Sequence, residues 1–436
     1  MNTGKNINPW WWIPTLYFAE GIPYFIVNNI SVIMFNNMGM AKGDMALYTS
    51  MLYLPWVIKP LWSPFVDIIR TKRWWIMAMQ ILMSAAFALL AFSLPHPSQT
   101  MISSGDTPVS LFAVTLVIFW ITAFASATHD IAADGFYMLA LKPEEQSLFV
   151  GIRSTFYRLS SIFGQGVLVV IAGILERSTG DIPKSWAITL LVSAVIFAVI
   201  TLWHTFRLPK PAADADRPTS SAMDIVRGFA RTFITFFKKK GIFIAMLFML
   251  LYRLPEAFLV KMMNPFLLDS MAEGGLALST ESVGLVYGTI GVAALTVGGI
   301  LGGIAASRWG LKKCMWPMAL SLTLPCLSFV FLAMFQPENI AIISACVALD
   351  QFGYGFGFTA YMLYLIYFAD GEFKTAHYSL CTAFMALSMM LPGMVAGYIQ
   401  ESVGYTNFFI FVMVCCLVTV LVTMAVKVPA EYGKKQ

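Results

Sequence analysis

The sequence predicts an all-α polytopic membrane protein, with twelve transmembrane helices in two pseudo-symmetric six-helix bundles. Three observations lead there. Of 436 residues, 58% are hydrophobic and only 12% charged, against about 25% charged in soluble domains, and the mean hydropathy is +0.74. Apolar runs long enough to cross a bilayer recur twelve times. Short motifs of the first half return in the second.

Taken in order, the first-half runs are 12–36, 45–69, 74–95, 108–140, 147–175 and 185–206. The first, WWWIPTLYFAEGIPYFIVNNISVIMF, follows Lys5. It is too long for the core of a signal peptide and lacks a small-residue cleavage site, so it reads as a span. The polar stretch 207–240 divides the chain into bundles 1–206 and 241–436. It opens as a Pro/Ala/Asp linker, then spaces Ile225, Phe229, Thr232, Phe233 and Phe236 along one helical face, the pattern of an amphipathic helix lying on the membrane. The second-half runs are 241–268, 281–306, 313–335, 339–369, 375–400 and 405–427.

Lys and Arg set the expected orientation. With the N-terminus inside, twenty fall in cytoplasmic segments, three (Lys42, Arg177, Lys184) outside, and five within spans. That asymmetry places both termini in the cytoplasm. The net charge of +5 is explained by topology and calls for no nucleic-acid partner.

The halves repeat. Pro23 in GIPYF and Pro255 in RLPEAF interrupt the first span of each half; SPFVDIIRTKR (63–73) matches GGIAASRWGLKK (302–313), and AGILE (172–176) matches AGYIQ (396–400). Six spans per half make this a parallel repeat, an architecture with the substrate site between halves near the midplane. The turn between the second and third spans resembles the GxxxD-R/K-x-G-R/K-R/K signature of the major facilitator superfamily. The second half keeps Gly303, Arg308, Gly310, Lys312 and Lys313, with Ser307 in place of the acid; the first keeps Asp67, Arg70, Lys72 and Arg73 without the glycines. Within that superfamily the chain resembles the AmpG-type muropeptide permeases, which share a family with acetyl-coenzyme A transporters. GIPY (21–24), KPLWSPFVD (59–67), HDIAADGFYMLALKPEEQ (129–146), FYRLSSIFGQGV (156–167), LYRLPEAF (251–258) and the stretch 378–411 carry the resemblance. It implies the major facilitator fold, alternating access, and import of anhydro-muropeptides or related cell-wall sugar–peptides across a bacterial inner membrane. In that signature Asp67, Arg70, Arg73, Arg308 and Lys312 are expected to gate the cytoplasmic face.

Charged groups inside spans single out the candidate site, because each costs roughly 2.5–3.5 kcal/mol at the bilayer centre. Asp130 and Asp134 share one face of the fourth span, with His129 about 100° away. They are the expected proton-coupling groups, with Arg153 and Arg158 of the fifth span as candidate partners. Glu20, Arg253, Glu256, Asp350 and Gln351 are expected to bind substrate, with Arg158 and the aromatics Tyr24, Tyr157, Tyr252 and Tyr361. Glu256 is three residues from Arg253 and has the option of pairing with it. Lys261 either joins that network or snorkels. Lys59, beside Pro60, reads as structural.

No P-loop is present, so energy comes from an ion gradient, protons being the candidate ion, or from the substrate's own gradient. The absence of HExxH or a paired Cys/His site argues against an enzyme, and the four histidines and six cysteines fit no metal or disulfide pattern. No cofactor, metal or obligate protein partner is expected. The alternatives are carriage of another anionic solute (a sugar derivative, peptide, siderophore or acyl-coenzyme A) and a non-transporting membrane sensor.

Overall fold

The computed structural model describes residues 7–211, 214, 222–371, 373–430 and 432–433. Among them, ten helices are long and apolar enough to cross a membrane. Spans 1 (Pro9–Asn37), 3 (Lys72–Ser93), 4 (Val109–Ala140), 5 (Ile152–Thr179) and 6 (Ile182–Arg207) belong to the first half, and spans 7 (Ile242–Leu268), 8 (Thr280–Trp309), 9 (Leu311–Phe335) and 10 (Ile340–Ala369) to the second. The tenth, Ala376–Ala425, reverses at Gly404 (φ 75°, ψ 169°), a conformation that favours glycine, and so supplies spans 11 and 12. The expected second span crosses in pieces, Lys42–Met51, Leu54–Ile58, Lys59–Leu61 and Ser63–Ile68. Pro55, Pro60 and Pro64 start these breaks by removing backbone donors. The arrangement is consistent with twelve spans.

The apolar cores show how the halves meet. The largest cluster is continuous across both halves, joining Phe35, Phe119 and Trp186 to Phe266, Phe329 and Phe409. Elsewhere the cores separate: Trp12, Tyr17, Phe136 and Tyr137 form one in the first half, and Phe248, Tyr361 and Phe368 another in the second. The shared core lies towards the end of the molecule that carries Lys42. There Lys42 pairs with Asp269 at 2.9 Å and Arg177 with Glu281 at 2.9 Å. Asn36 and Asn37 donate to Asp269 and Thr280, and Glu401 accepts from the Gly43 amide at 2.8 Å. The molecule is closed at the Lys42 end. At the opposite end Arg70, Arg308 and Lys312 are exposed.

Three spans contain wide π-helical turns, Ile26–Ile30, Ile162–Leu168 and Gly284–Gly291. Such turns concentrate at functional positions. Those of spans 5 and 8 pack on each other across the seam between halves.

The linker helix Ala222–Phe237 packs through Phe236, fully buried against Phe368, His377 and Phe384. The side chains of Ile225 and Phe229, part of the amphipathic face expected from sequence, lie outside the described residues, as does that of Asp67. Asp214 of the linker accepts from the backbone N–H groups of Lys72 (2.7 Å) and Arg73 (3.0 Å), while Thr71 caps Trp74. The first-turn donors of span 3 are thereby satisfied. Asp214→Ala is expected to lower stability by about 1–2 kcal/mol, checked as a fall in the thermal unfolding midpoint of the purified protein, with Asp214→Asn falling less.

Candidate functional site

The first-half side of the seam carries a cluster of five ionisable groups. One helical turn on span 4 brings Asp130 and Asp134 to the same face. Asp130 accepts from Lys59 Nζ at 2.5 Å, and Asp134 from Arg153 Nη2 at 2.7 Å and the Tyr17 hydroxyl at 3.2 Å. The Arg153 guanidinium lies over the rings of Tyr17 (4.4 Å) and Tyr137 (5.1 Å), where cation–π attraction adds to the ion pair. Glu20, 9% exposed, lies with its carboxyl beside that of Asp130, and its Oε2 is buried without a hydrogen-bond partner.

Three sequence expectations change here. Lys59, read as structural, is the partner of Asp130; the short helix Lys59–Leu61 started by Pro60 turns it inward. Arg158 does not join the acids. Five residues beyond Arg153, it is rotated about 140° around the helix, and its Nη2 sits 3.1 Å from where a Gly299 Cβ would be, on span 8. His129 is not with the carboxylates either. It is buried among spans 3, 4 and 6, where Gln80 Nε2 donates to its Nε2 at 3.0 Å and His204 Nδ1 donates to Gln80 Oε1 at 3.0 Å. Its 100° offset from Asp130 turns it into the bundle, so a proton-coupling role for His129 is withdrawn.

The second-half side is built around Arg253. Pro255 starts the helix Leu254–Leu268, so Arg253 takes its N-cap position. Its Nη2 donates to the Tyr354 hydroxyl at 2.5 Å, and the guanidinium lies 4.7 Å from the Phe358 ring centroid and 5.3 Å from that of Tyr354. Its Nε is buried without a partner. Glu256, buried beside it, makes no ion pair with Arg253, and neither of its carboxyl oxygens has a hydrogen-bond partner. On the first-half side Tyr24, Tyr53 and Trp56 form an aromatic wall, with Tyr24 edge-on to Trp56 at 5.2 Å. Tyr24 lies within electrostatic range of Arg253, and Tyr157 of Tyr354, so the two surfaces face each other across the seam.

Four expected substrate contacts lie inside the second bundle instead. The Tyr252 hydroxyl donates to the Gly357 carbonyl at 3.2 Å and that of Tyr361 to the Met249 carbonyl at 2.6 Å, which ties span 7 to span 10. Asp350 and Gln351, 2% and 3% exposed, bond to each other at 3.1 Å. Arg73, expected to gate, donates to the Thr205 and Leu208 carbonyls at the end of span 6 and so ties span 3 to its own half. Sequence reasoning undervalued Lys59 and Lys261 and passed over Tyr53 and Trp56. For the lysines, the signal was an unpaired cation inside a span.

The sequence model of the Major Facilitator Superfamily matches residues 15–373. The chain belongs to that superfamily. It is similar to the Anhydromuropeptide permease of Escherichia coli K12, 24% identical over 392 residues that cover 89% of this chain and 73% of that one. It is also similar to Putative transporter AmpG 4 of Rickettsia felis, 24% identical over 422 residues that cover 94% of each. Among solved structures it resembles a D-xylose-proton symporter (TM-score 0.69, 11% identity, covering 97% of this chain and 98% of that one). The nucleoside transporter NupG gives a TM-score of 0.67 at 17% identity, covering 95% and 96%. At those identities the structures speak for the fold alone. This superfamily member is a multi-pass membrane transporter, and the Escherichia coli and Rickettsia relatives carry permease and AmpG names.

Proposed function

We propose that this transporter imports anhydro-muropeptides or closely related sugar–peptides across a bacterial inner membrane by alternating access, driven by protons. The observation that carries the reading is the pairing of two unlike surfaces across the seam: an acid-rich cluster (Glu20, Asp130, Asp134 with Lys59 and Arg153) and a cation held in an aromatic cage (Arg253 with Tyr354 and Phe358). Sugars stack on aromatic faces, and a guanidinium with a free Nε suits a carboxylate. The permease relatives support the substrate class. In this reading the bundles 1–206 and 241–436 rock about the seam, and the linker 207–240 and both termini are cytoplasmic. The Lys42 end is then periplasmic, and Arg70, Arg308 and Lys312 are free to re-engage when the cytoplasmic end closes.

The test is uptake of a radiolabelled anhydro-muropeptide into proteoliposomes under an imposed pH gradient. Wild-type protein is expected to accumulate it, and no uptake would end the proposal. Arg253→Gln is expected to raise KM about tenfold for the anionic muropeptide, the loss of one charge-assisted hydrogen bond of about 1.4 kcal/mol, and to change KM for an uncharged analogue less than twofold. Equal loss for both would make Arg253 structural.

A further inference from the structure

Lys261 presents a buried polar site that the central cluster does not use. It lies on span 7 about 12 Å beyond Arg253, eight residues at 1.5 Å each, towards the closed end. It is 5% exposed, so it does not snorkel, and it makes no ion pair among the described residues. Its Nζ donates to Thr49 Oγ1 of the first half at 3.0 Å. Around it converge polar atoms without partners: Asn28 Oδ1, Ser50 Oγ and Asn264 Oδ1, on residues 4%, 0% and 2% exposed. Asn28, Asn264, Lys261 and Tyr53 line a cavity with room for about one water molecule.

This combination is poorly explained as a structural lock. A lock built from a lysine would place a carboxylate opposite it, as Asp269 stands opposite Lys42. Here a desolvated ammonium has one hydroxyl partner and the Tyr53 ring 5.8 Å away, and the neighbouring amide oxygens are left unmatched, which is costly in a buried site. Because Asn28, Thr49 and Ser50 belong to the first half and Lys261 and Asn264 to the second, the bond between Thr49 and Lys261 breaks when the Lys42 end opens, and the ring parts into a cleft with the cation and Asn264 on one wall and Asn28 on the other.

We infer that this ring is a second ligand subsite, which receives the carboxylate-ended peptide arm of the substrate in the state open at the Lys42 end. Lys261 takes the terminal carboxylate, and Asn28 and Asn264 take amide N–H groups of the arm. The sugar then lies at the Tyr24–Trp56–Arg253 level, and the 12 Å between levels selects an elongated sugar–peptide over a lone sugar. The inference rests on the proposed function for the identity of the sugar, but not for the peptide chemistry of the ring.

The test compares Lys261→Met and Lys261→Arg with wild type in proteoliposomes, using an anhydro-muropeptide and the same anhydro-sugar without peptide. In parallel, thermal stabilisation of the full-length protein by acetyl-dialanine and by its C-terminal amide is measured. Lys261→Met is expected to raise KM for the muropeptide at least tenfold and to change that for the bare sugar less than twofold, while Lys261→Arg stays near wild type. Acetyl-dialanine is expected to stabilise wild type but not Lys261→Met, and its amide to stabilise neither. Equal loss for both sugars, or acetyl-dialanine stabilisation that survives Lys261→Met, would overturn the subsite and return Lys261 to gate packing. Wild-type protein that takes up neither sugar but shows Lys261-dependent stabilisation by acetyl-dialanine would remove the muropeptide reading and leave the subsite standing.

Discussion

Gly288→Val should abolish transport, lowering the rate at least about a hundredfold, while leaving both bundles folded. A Cβ on Gly288 would fall 1.9 Å from the Gln165 carbonyl oxygen and 2.4 Å from the Gly166 nitrogen. The neighbours are backbone and cannot rotate away. The contact joins span 8 to span 5, one from each half, so the clash opposes closure of the Lys42 end rather than folding of either bundle. Gly397 repeats the arrangement between spans 11 and 2, 2.0 Å from the Lys42 carbonyl oxygen, and Gly173 meets the Glu281 nitrogen at 2.2 Å. Small residues that let backbones touch are the usual means of close helix approach in membranes. Reversing a two-state preference from 99:1 to 1:99 takes about 5.5 kcal/mol, within reach of a side chain forced into contacts below 2.5 Å. The consequence can be read directly. A cysteine introduced as Asn28→Cys, 4% exposed in the closed structure, should react with a membrane-impermeant maleimide in the Gly288→Val protein. In the Gly288 parent it should react only slowly, and the protein without Asn28→Cys sets the background. Retained transport with unchanged labelling would show that the glycine contact is not part of the cycle.

Much of this architecture was legible in the sequence, because a bilayer enforces long apolar runs that survive any tertiary detail. What was not legible depended on which residues meet. Pro55, Pro60 and Pro64 stand in the second span, but only the fold shows that the break at Pro60 turns Lys59 onto Asp130. Periodicity placed His129 at the wrong angle for the carboxylates, yet its partner Gln80 lies forty-nine positions away and could not be inferred from spacing. Arg253 and Glu256 sit at a spacing that favours pairing on a regular helix. Pro255 starts the helix between them, so Arg253 caps it and turns to Tyr354 instead. The π-helical turns left no recognisable signal in the sequence, and those of spans 5 and 8 pack on each other at the seam.

Glu20→Gln should uncouple the transporter, and the reason lies in a count of charges. The first-half cluster contains three acids, Glu20, Asp130 and Asp134, and two cations, Lys59 and Arg153. A cluster held within the membrane is favoured when its charges balance, so in the proposed proton-driven cycle it carries one proton, and the adjoining carboxyl groups of Glu20 and Asp130 are the place to share it. Replacing Glu20 by glutamine leaves two acids against two cations. Both ion pairs are kept, and the need for a proton disappears. With one proton per solute, a gradient of one pH unit supports roughly tenfold accumulation, or about 1.4 kcal/mol. In Glu20→Gln that accumulation should fall to the level set by the substrate alone, while exchange of substrate across the membrane continues. Asp130→Asn gives the same charge balance but strips Lys59 of its partner, so it should lose stability as well as coupling, part of the 3–5 kcal/mol typical of a broken buried pair. Adding Lys59→Met to Asp130→Asn should recover part of that stability without recovering pH-driven uptake. If Glu20→Gln still accumulates substrate against its gradient under a pH difference, the proton resides elsewhere and the cluster is a structural clamp between spans 2, 4 and 5. If accumulation and exchange vanish together in a protein of unchanged thermal stability, Glu20 contacts the substrate itself, and the proton must be sought on the second-half acids Glu256 and Asp350.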